Sequence, residues 1–288
     1  MDPAALTLVI LAAFCHASWN LLAKRSSGGV AFVWLVQGSG MLLYAPLVIV
    51  LLVRNPPELS PGLFAAIIAS AVFHLSYFLS LQRGYRSGDL SLVYPVARGT
   101  GPALATVGAI LIYGERPGPI AILGAVLVIS GVIFMSMAGR HTAADPHARH
   151  EGVKWGMITG VFIASYSMND SFAVSALGIF PFFYLWLGDV LRTVLLTPLA
   201  LRRLPSVRHE LTAHRREILG VAFLSPLSYL LVLFALSFTP LSYVAPAREM
   251  SILIGTIMGS TLLSEEDGKR RILAAVLIVG GVVALAVG

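Results

Sequence analysis

The chain is poor in cysteine and in charge. Of its 288 residues one, Cys15, is a cysteine, and 12% are Asp, Glu, Lys or Arg. A single cysteine excludes an internal disulfide and a cysteine-cluster metal site. Cys15 lies inside an apolar segment and reads as an inert packing residue. No GxxxxGK[ST] phosphate loop, GxSxG elbow or HExxH zinc motif occurs. Nothing therefore points to ATP hydrolysis, an elbow-type hydrolase or a zinc peptidase, and no cofactor or metal is expected.

Apolar residues are abundant. They make up 57% of the chain, and the mean hydropathy is +0.84. Soluble domains hold roughly 45–50%, so the lipid bilayer is the natural solvent. A helix needs roughly 20 apolar residues to cross the hydrocarbon core, and ten segments qualify. They are Ala5–Leu22, Val30–Val53, Gly62–Leu81, Leu90–Tyr113, Gly118–Ala138, Lys154–Leu177, Phe180–Leu201, Glu217–Phe238, Leu241–Leu263 and Ile272–Val287. Barrel strands would be about half that length with period-two alternation. The first segment lacks the basic start of a secretory signal and runs into Lys24 and Arg25, so it reads as a retained helix.

The second half repeats the first. YPVARGTGPALATVGAILIYGE from Tyr94 answers VAPAREMSILIGTIMGSTLLSE from Val244. At one offset Ala97–Arg98 falls on Ala247–Arg248, Glu115 on Glu265 and Gly131 on Gly281, while Pro95 and Pro246 slip by one. The chain divides into a first five-helix repeat (1–139), a cytoplasmic linker (140–153) and a second repeat (154–288).

Basic residues set the orientation. Fifteen of the 20 Lys and Arg lie in loops after the odd-numbered helices, against two, Arg54 and Arg116, on the opposite face. Basic loops stay cytoplasmic, which places both termini outside the cytoplasm in a cell membrane. The basic clusters sit at helix ends without interleaved aromatics, so no nucleic-acid surface is read from them. Five helices per repeat make the second copy run inverted, and two inverted halves supply two equivalent arrangements for alternating access. The expected fold is all-α: ten transmembrane helices as two inverted five-helix repeats around a central cavity.

Charge inside such segments marks the site. Arg98 and Arg248 enter from opposite faces at a cost of at least ~2.5–3.5 kcal/mol unless paired or hydrated. Pro95, Gly99, Gly101 and Pro102 around Arg98, and Pro246 beside Arg248, are expected to interrupt their helices, as tolerated where backbone lines a wet cavity. Two readings compete: a vestibule that attracts a carboxylate, and a salt bridge locking the halves together. Glu249 follows Arg248 directly and points elsewhere around the helix.

His16, Trp19 and Asn20 share one face of helix one, and Tyr166, Asn169 and Asp170 one face of helix six. Asp170 is the best single candidate for a protonatable coupling group, because burial disfavours a charged carboxyl. His74, Tyr77 and Phe78 on helix three and Ser225 and Tyr229 on helix eight suit an amphipathic substrate. Tyr94 and Tyr243, near the two arginine-bearing breaks, complete the candidates. Each of these residues has an ordinary alternative as a helix-to-helix hydrogen bond or an interfacial anchor. Asp189 and Arg192, one turn apart, read as a local neutralising pair, and Gly124, Gly131, Gly280 and Gly281 as close helix contacts.

HASWNLLAKRS from His16 to Ser26, the two Ala–Arg pairs and the turns at Tyr113–Pro117 and Ser264–Glu266 resemble the drug/metabolite transporter superfamily, in its EamA-type ten-helix branch. The resemblance implies that helices one, three, four, six, eight and nine surround a cavity while five and ten pack outside. Among its branches the chain looks most like the YddG-type amino-acid exporters. The second copy reads ASYSMND from Ala164 and does not reproduce the Trp–Asn–Lys pattern of helix one.

The leading expectation is therefore a secondary transporter exporting amino acids or other small zwitterions, with the lipid bilayer and a small-molecule substrate as partners and a monomer as the simplest unit. Another small anionic metabolite or drug is the alternative cargo. An intramembrane enzyme is the rival class: Glu265, Glu266 and Arg270 match an EExxxR spacing, but no histidine follows His214.

Overall fold

Prolines open five of the helices, at Pro3, Pro61, Pro119, Pro146 and Pro181. At the first helical position proline's missing N–H costs nothing and its fixed φ suits the helix. In the computed structural model, residues 1–26, 29–87, 90–137, 146–260 and 268–288 are described. Among them every regular element is an α-helix. The first repeat holds α1 (Pro3–Ala23), α2 (Gly29–Arg54), α3 (Pro61–Ser87), α4 (Leu90–Ile112) and α5 (Pro119–Met137). There follow α6 (Pro146–Ser175), α7 (Pro181–Leu201), α8 (Leu204–Ala213), α9 (Arg215–Leu236), α10 (Leu241–Ala247), α11 (Met250–Ser260) and α12 (Gly268–Val287).

Among the described residues five helices, α1, α2, α3, α7 and α9, are by themselves long and apolar enough to cross a bilayer. Large apolar side chains cover the outside of the bundle: Val53, Leu111 and Val287 are each more than 70% exposed. In water such a surface would aggregate, whereas in lipid it is the solvated face. The duplicated helical chain is a multi-pass membrane protein.

Three details depart from the sequence expectation. The apolar segment that begins at Leu241 holds two helices, α10 and α11, parted at Arg248–Glu249. Pro246 has no N–H to continue the ladder, and the Glu249 amide instead reaches back three residues to the Pro246 carbonyl at 3.0 Å. By contrast α4 runs unbroken through Pro95 and Pro102. Its glycines serve packing: a Cβ on Gly101 would stand 2.6 Å from Ile163 of α6, so α4 is held straight against its neighbour. The third is α8, a short polar helix in the loop after α7, whose Val207 and Glu210 are buried. Ten residues with one arginine, Arg208, are too short to cross a bilayer, so hydropathy alone reads them as loop. In addition α6 starts at Pro146, inside the span taken as linker. Glu265 and Glu266, and with them the EExxxR spacing, lie outside the described residues.

Packing follows a pattern of partners. α1 lies on α9 and α11, α3 and α4 lie on α6, α2 lies on α7, and α5 lies on α12. The α5–α12 seam brings backbone against backbone: a Cβ on Gly124 would meet the Gly281 carbonyl at 2.7 Å, and the reverse contact is equally tight. Both chain ends meet at one end of the bundle. The Met1 ammonium donates to the Leu285 and Ala286 carbonyls at 3.2 and 2.9 Å, satisfying acceptors that a helix C-terminus leaves open. Nearby, Gly114 adopts a left-handed φ of 69° that swings Glu115 across to α10. Its carboxylate accepts from the amides of Leu241 and Ser242 at 2.9 and 2.8 Å, a capping arrangement favoured at a helix N-terminus.

Candidate substrate cavity

A cavity of about 320 Å³ lies between the two sequence copies, at the lower end of small-molecule sites, roughly 300–1,000 Å³. Its wall takes Ala12 to Asn20 from the second half of α1, Phe32 and Gln37 from the start of α2, and Tyr94 and Arg98 from the start of α4. The cavity therefore occupies the half of the bundle that faces the basic loops. Towards the other end Ala5, Val9 and Leu236 pack into the core, and a second pocket opens beside Leu63, Phe180 and Phe183, between the α2–α3 turn and the start of α7.

Most of the anticipated residues come together here. His16, Trp19 and Asn20 line one wall, with the His16 and Trp19 rings edge-on at 4.9 Å. His74, Tyr77 and Phe78 face them from α3, and Tyr94, Arg98, Tyr166, Ser225, Tyr229 and Arg248 close the circuit. The aromatic rings form one cluster: His74 stacks on Tyr166 at 4.1 Å, and Tyr77 and Tyr229 meet Tyr166 edge-on at 5.9 and 6.3 Å.

Four candidates lie elsewhere. Asn169 and Asp170 stand behind the aromatic wall, Asp170 with no exposed surface. Glu249 is equally buried, behind Arg98. Tyr243 is remote from the cavity: its hydroxyl reaches the Gly288 carbonyl at 3.3 Å and the Gly118 amide at 3.5 Å, beside α5 and α12.

The two arginines differ. Arg98 Nη2 approaches Glu249 Oε2 to 2.8 Å and Ser251 Oγ to 3.4 Å. The contact with Glu249 is an ion pair without hydrogen-bond alignment, since neither Glu249 oxygen nor Arg98 Nε has a hydrogen-bond partner. Arg248 has no comparable carboxylate. Its Nη2 donates to Tyr166 Oη at 2.9 Å, its Cζ stands 5.7 Å from that ring, and its Nε is 4.0 Å from Glu249. The two arginines thus divide: Arg98 pairs with a carboxylate from the other copy, and Arg248 presents the less neutralised guanidinium to the cavity.

Sequence reasoning missed the walls from α2 and α7. Phe32, Val33, Val36 and Gln37 of α2 and Leu185, Asp189, Arg192 and Leu196 of α7 all line the cavity. Asp189 and Arg192 do pair, at 2.5 Å, yet they do so on the wall. Gln37 carries a signal that was there to read, a lone amide in an apolar helix. Its Oε1 is buried with no partner. Among the described residues none of α5 or α12 lines the cavity.

Asp170 sits at a junction of four helices. Its Oδ1 accepts from Tyr184 Oη of α7 at 2.5 Å and Asn169 Nδ2 at 3.1 Å, and its Oδ2 from Tyr229 Oη of α9 at 2.5 Å. His74 Nε2 of α3 is 4.0 Å from Oδ2. Among the described residues no group of His, Cys, Asp and Glu could hold a metal ion.

A solved crystal structure of a protein matches over 99% of each chain with a TM-score of 0.74 and 15% identity. At that identity the likeness concerns the fold alone. Comparison with curated proteins gives no match. The sequence profile of the EamA-like transporter family matches twice, at residues 3–137 and 150–287, and thus across both halves. The chain belongs to the EamA-like transporter family.

Proposed function

We propose that this protein exports small amphipathic zwitterions, amino acids foremost, in the manner of the YddG-type exporters. The observation that carries this reading is the composition of the cavity: one incompletely neutralised guanidinium, Arg248, beside a cluster of four aromatic rings, all deep in the bundle. A carboxylate docks on the guanidinium, and an apolar or aromatic side chain packs on Tyr77, Phe78 and Trp19. A monocarboxylate metabolite without an amine satisfies the first contact alone and is the second cargo to test.

The reading includes ten spanning segments in two inverted halves, residues 1–139 and 154–288, with α10 and α11 together as one broken span and α8 at the cytoplasmic surface. The packing supports it, because exchanging each element for its counterpart in the other half reproduces the contacts. α1 on α9 becomes α6 on α3, α1 on α11 becomes α6 on α4, and the pairs α2–α7 and α5–α12 map onto themselves. With the basic loops cytoplasmic, both termini face outward from the inner membrane, and the cavity half corresponds to an inward-facing state of an alternating-access cycle. A monomer contains every residue of this site.

The test is counterflow in proteoliposomes with a panel of labelled amino acids and amine-free monocarboxylates. Accumulation of aromatic or branched amino acids supports the reading. Movement of the monocarboxylates alone moves the assignment to the second cargo, and no movement of either removes both.

A further inference from the structure

The charges around the cavity pair off incompletely. Arg98 meets Glu249, and Arg192 meets Asp189. Arg248 and Asp170 remain, separated by the aromatic wall. Asp170 is fully buried and held by hydroxyls and an amide, with no Lys or Arg in contact. Facing it are His74 from α3, Tyr184 from α7, Tyr229 from α9 and, on its own helix, Asn169 and Tyr166. Arg98 of α4 is engaged by Glu249, and Arg248, at the α10–α11 break, is engaged by Tyr166.

His74 makes this junction specific. Its Nδ1 lies 2.9 Å from the Ser70 carbonyl. A carbonyl only accepts, so Nδ1 carries the hydrogen and the neutral ring leaves Nε2 as a bare acceptor. That nitrogen faces Asp170 Oδ2 at 4.0 Å. Two acceptors thus confront each other with no hydrogen between them, in a region that disfavours an unneutralised carboxylate. One added proton turns the pair into donor and acceptor. The His74 ring also forms part of the cavity wall.

We propose that His74 and Asp170 together bind one exchangeable proton, and that the ammonium group of a zwitterionic substrate competes with it. This rests on the substrate class proposed above. The cavity is then a dipolar receptor. Arg248 is its positive pole and takes the carboxylate. The His74–Asp170 pair, seen through the faces of Tyr166 and Tyr229, is its negative pole. An ammonium over those faces is held by their quadrupoles and disfavours a second positive charge on His74–Asp170. Binding one zwitterion releases one proton, and release of the zwitterion on the far side lets one proton return. Each cycle moves one neutral substrate out and one proton in, so one positive charge enters per cycle. A monocarboxylate without an amine has the opposite linkage: its negative charge on Arg248 favours the proton.

The linkage is reciprocal, so acid weakens zwitterion binding. The experiment uses the full chain reconstituted with a trapped pH indicator and labelled phenylalanine as probe. Phenylalanine leaving the vesicles should carry protons inward, and an imposed inward proton gradient should accelerate its exit several-fold. Equilibrium binding in detergent should weaken at least threefold from about pH 8 to about pH 5. In Asp170→Asn and in His74→Gln that ratio should collapse towards one. Should these variants not fold, the wild-type proton count decides alone. Phenylalanine flux with no proton movement, or with protons moving in the same direction, overturns the proton site and leaves the transporter reading standing. No phenylalanine flux under any gradient, with the other labelled amino acids equally immobile, overturns the reading on which it rests.

Discussion

Arg98 and Glu249 meet at 2.8 Å with both side chains more than nine-tenths buried, one contributed by each sequence copy. The pair has no counterpart in the repeat, because the residue after Arg98 is Gly99. The second copy thus supplies a carboxylate that neutralises the first copy's arginine, while its own arginine stays available to the cavity.

Removing one partner leaves the other charged and buried. Glu249→Gln and Arg98→Met should each destabilise the protein by about 3–5 kcal/mol, while the double variant Arg98→Met with Glu249→Leu should recover most of that loss. Thermal unfolding of the purified protein in one detergent measures both. Additive losses in the double variant would mean that the two charges do not compensate each other.

Neighbouring glycines on α12 give a sharper contrast. A Cβ on Gly281 would stand 2.7 Å from the Gly124 carbonyl, whereas one on Gly280 meets nothing within 4 Å. Gly281→Ala should therefore open the α5–α12 seam and lower the melting temperature by several degrees. Gly280→Ala should be neutral or slightly stabilising, since alanine is the better helix former by up to about 1 kcal/mol. Equal effects at the two positions would contradict the seam.

Orientation is tested by reporters. The bias of fifteen basic loop residues against two predicts that a phosphatase fused after Gly288 is active and a fluorescent protein at the same place is dark. An insertion near Arg208 in α8 should give the reverse pair of results. A cytoplasmic reading after Gly288 would invert the whole assignment.

Much of this was legible in the sequence because hydropathy and duplication are one-dimensional signals. The starts of α4, α7 and α10 fall within a residue of the apolar segments, and most of the chosen polar residues share the cavity. Proline was misread where context decided. Around Arg98 the glycines fit against Ile133 and Ile163 and keep α4 whole, whereas beside Arg248 the single Pro246 divides the helix. Periodicity does not distinguish those outcomes. Partner choice was also invisible: that Glu249 belongs to Arg98, and that Tyr184 and Tyr229 converge on Asp170, depends on how α3, α6, α7 and α9 close in space. Tyr243 failed for the same reason, its place near the break saying nothing about which side of the helix it occupies.

The account turns on Arg248 as the anchor for the substrate's carboxylate. The most direct measurement is phenylalanine binding to the purified protein beside Arg248→Ala and Arg248→Lys, with thermal unfolding recorded for each. A charge-assisted contact of about 1.5–3 kcal/mol predicts that Arg248→Ala weakens binding by about 10- to 150-fold, with lysine recovering part of it and the melting temperature changing little. Undiminished binding by a folded Arg248→Ala protein would contradict the account.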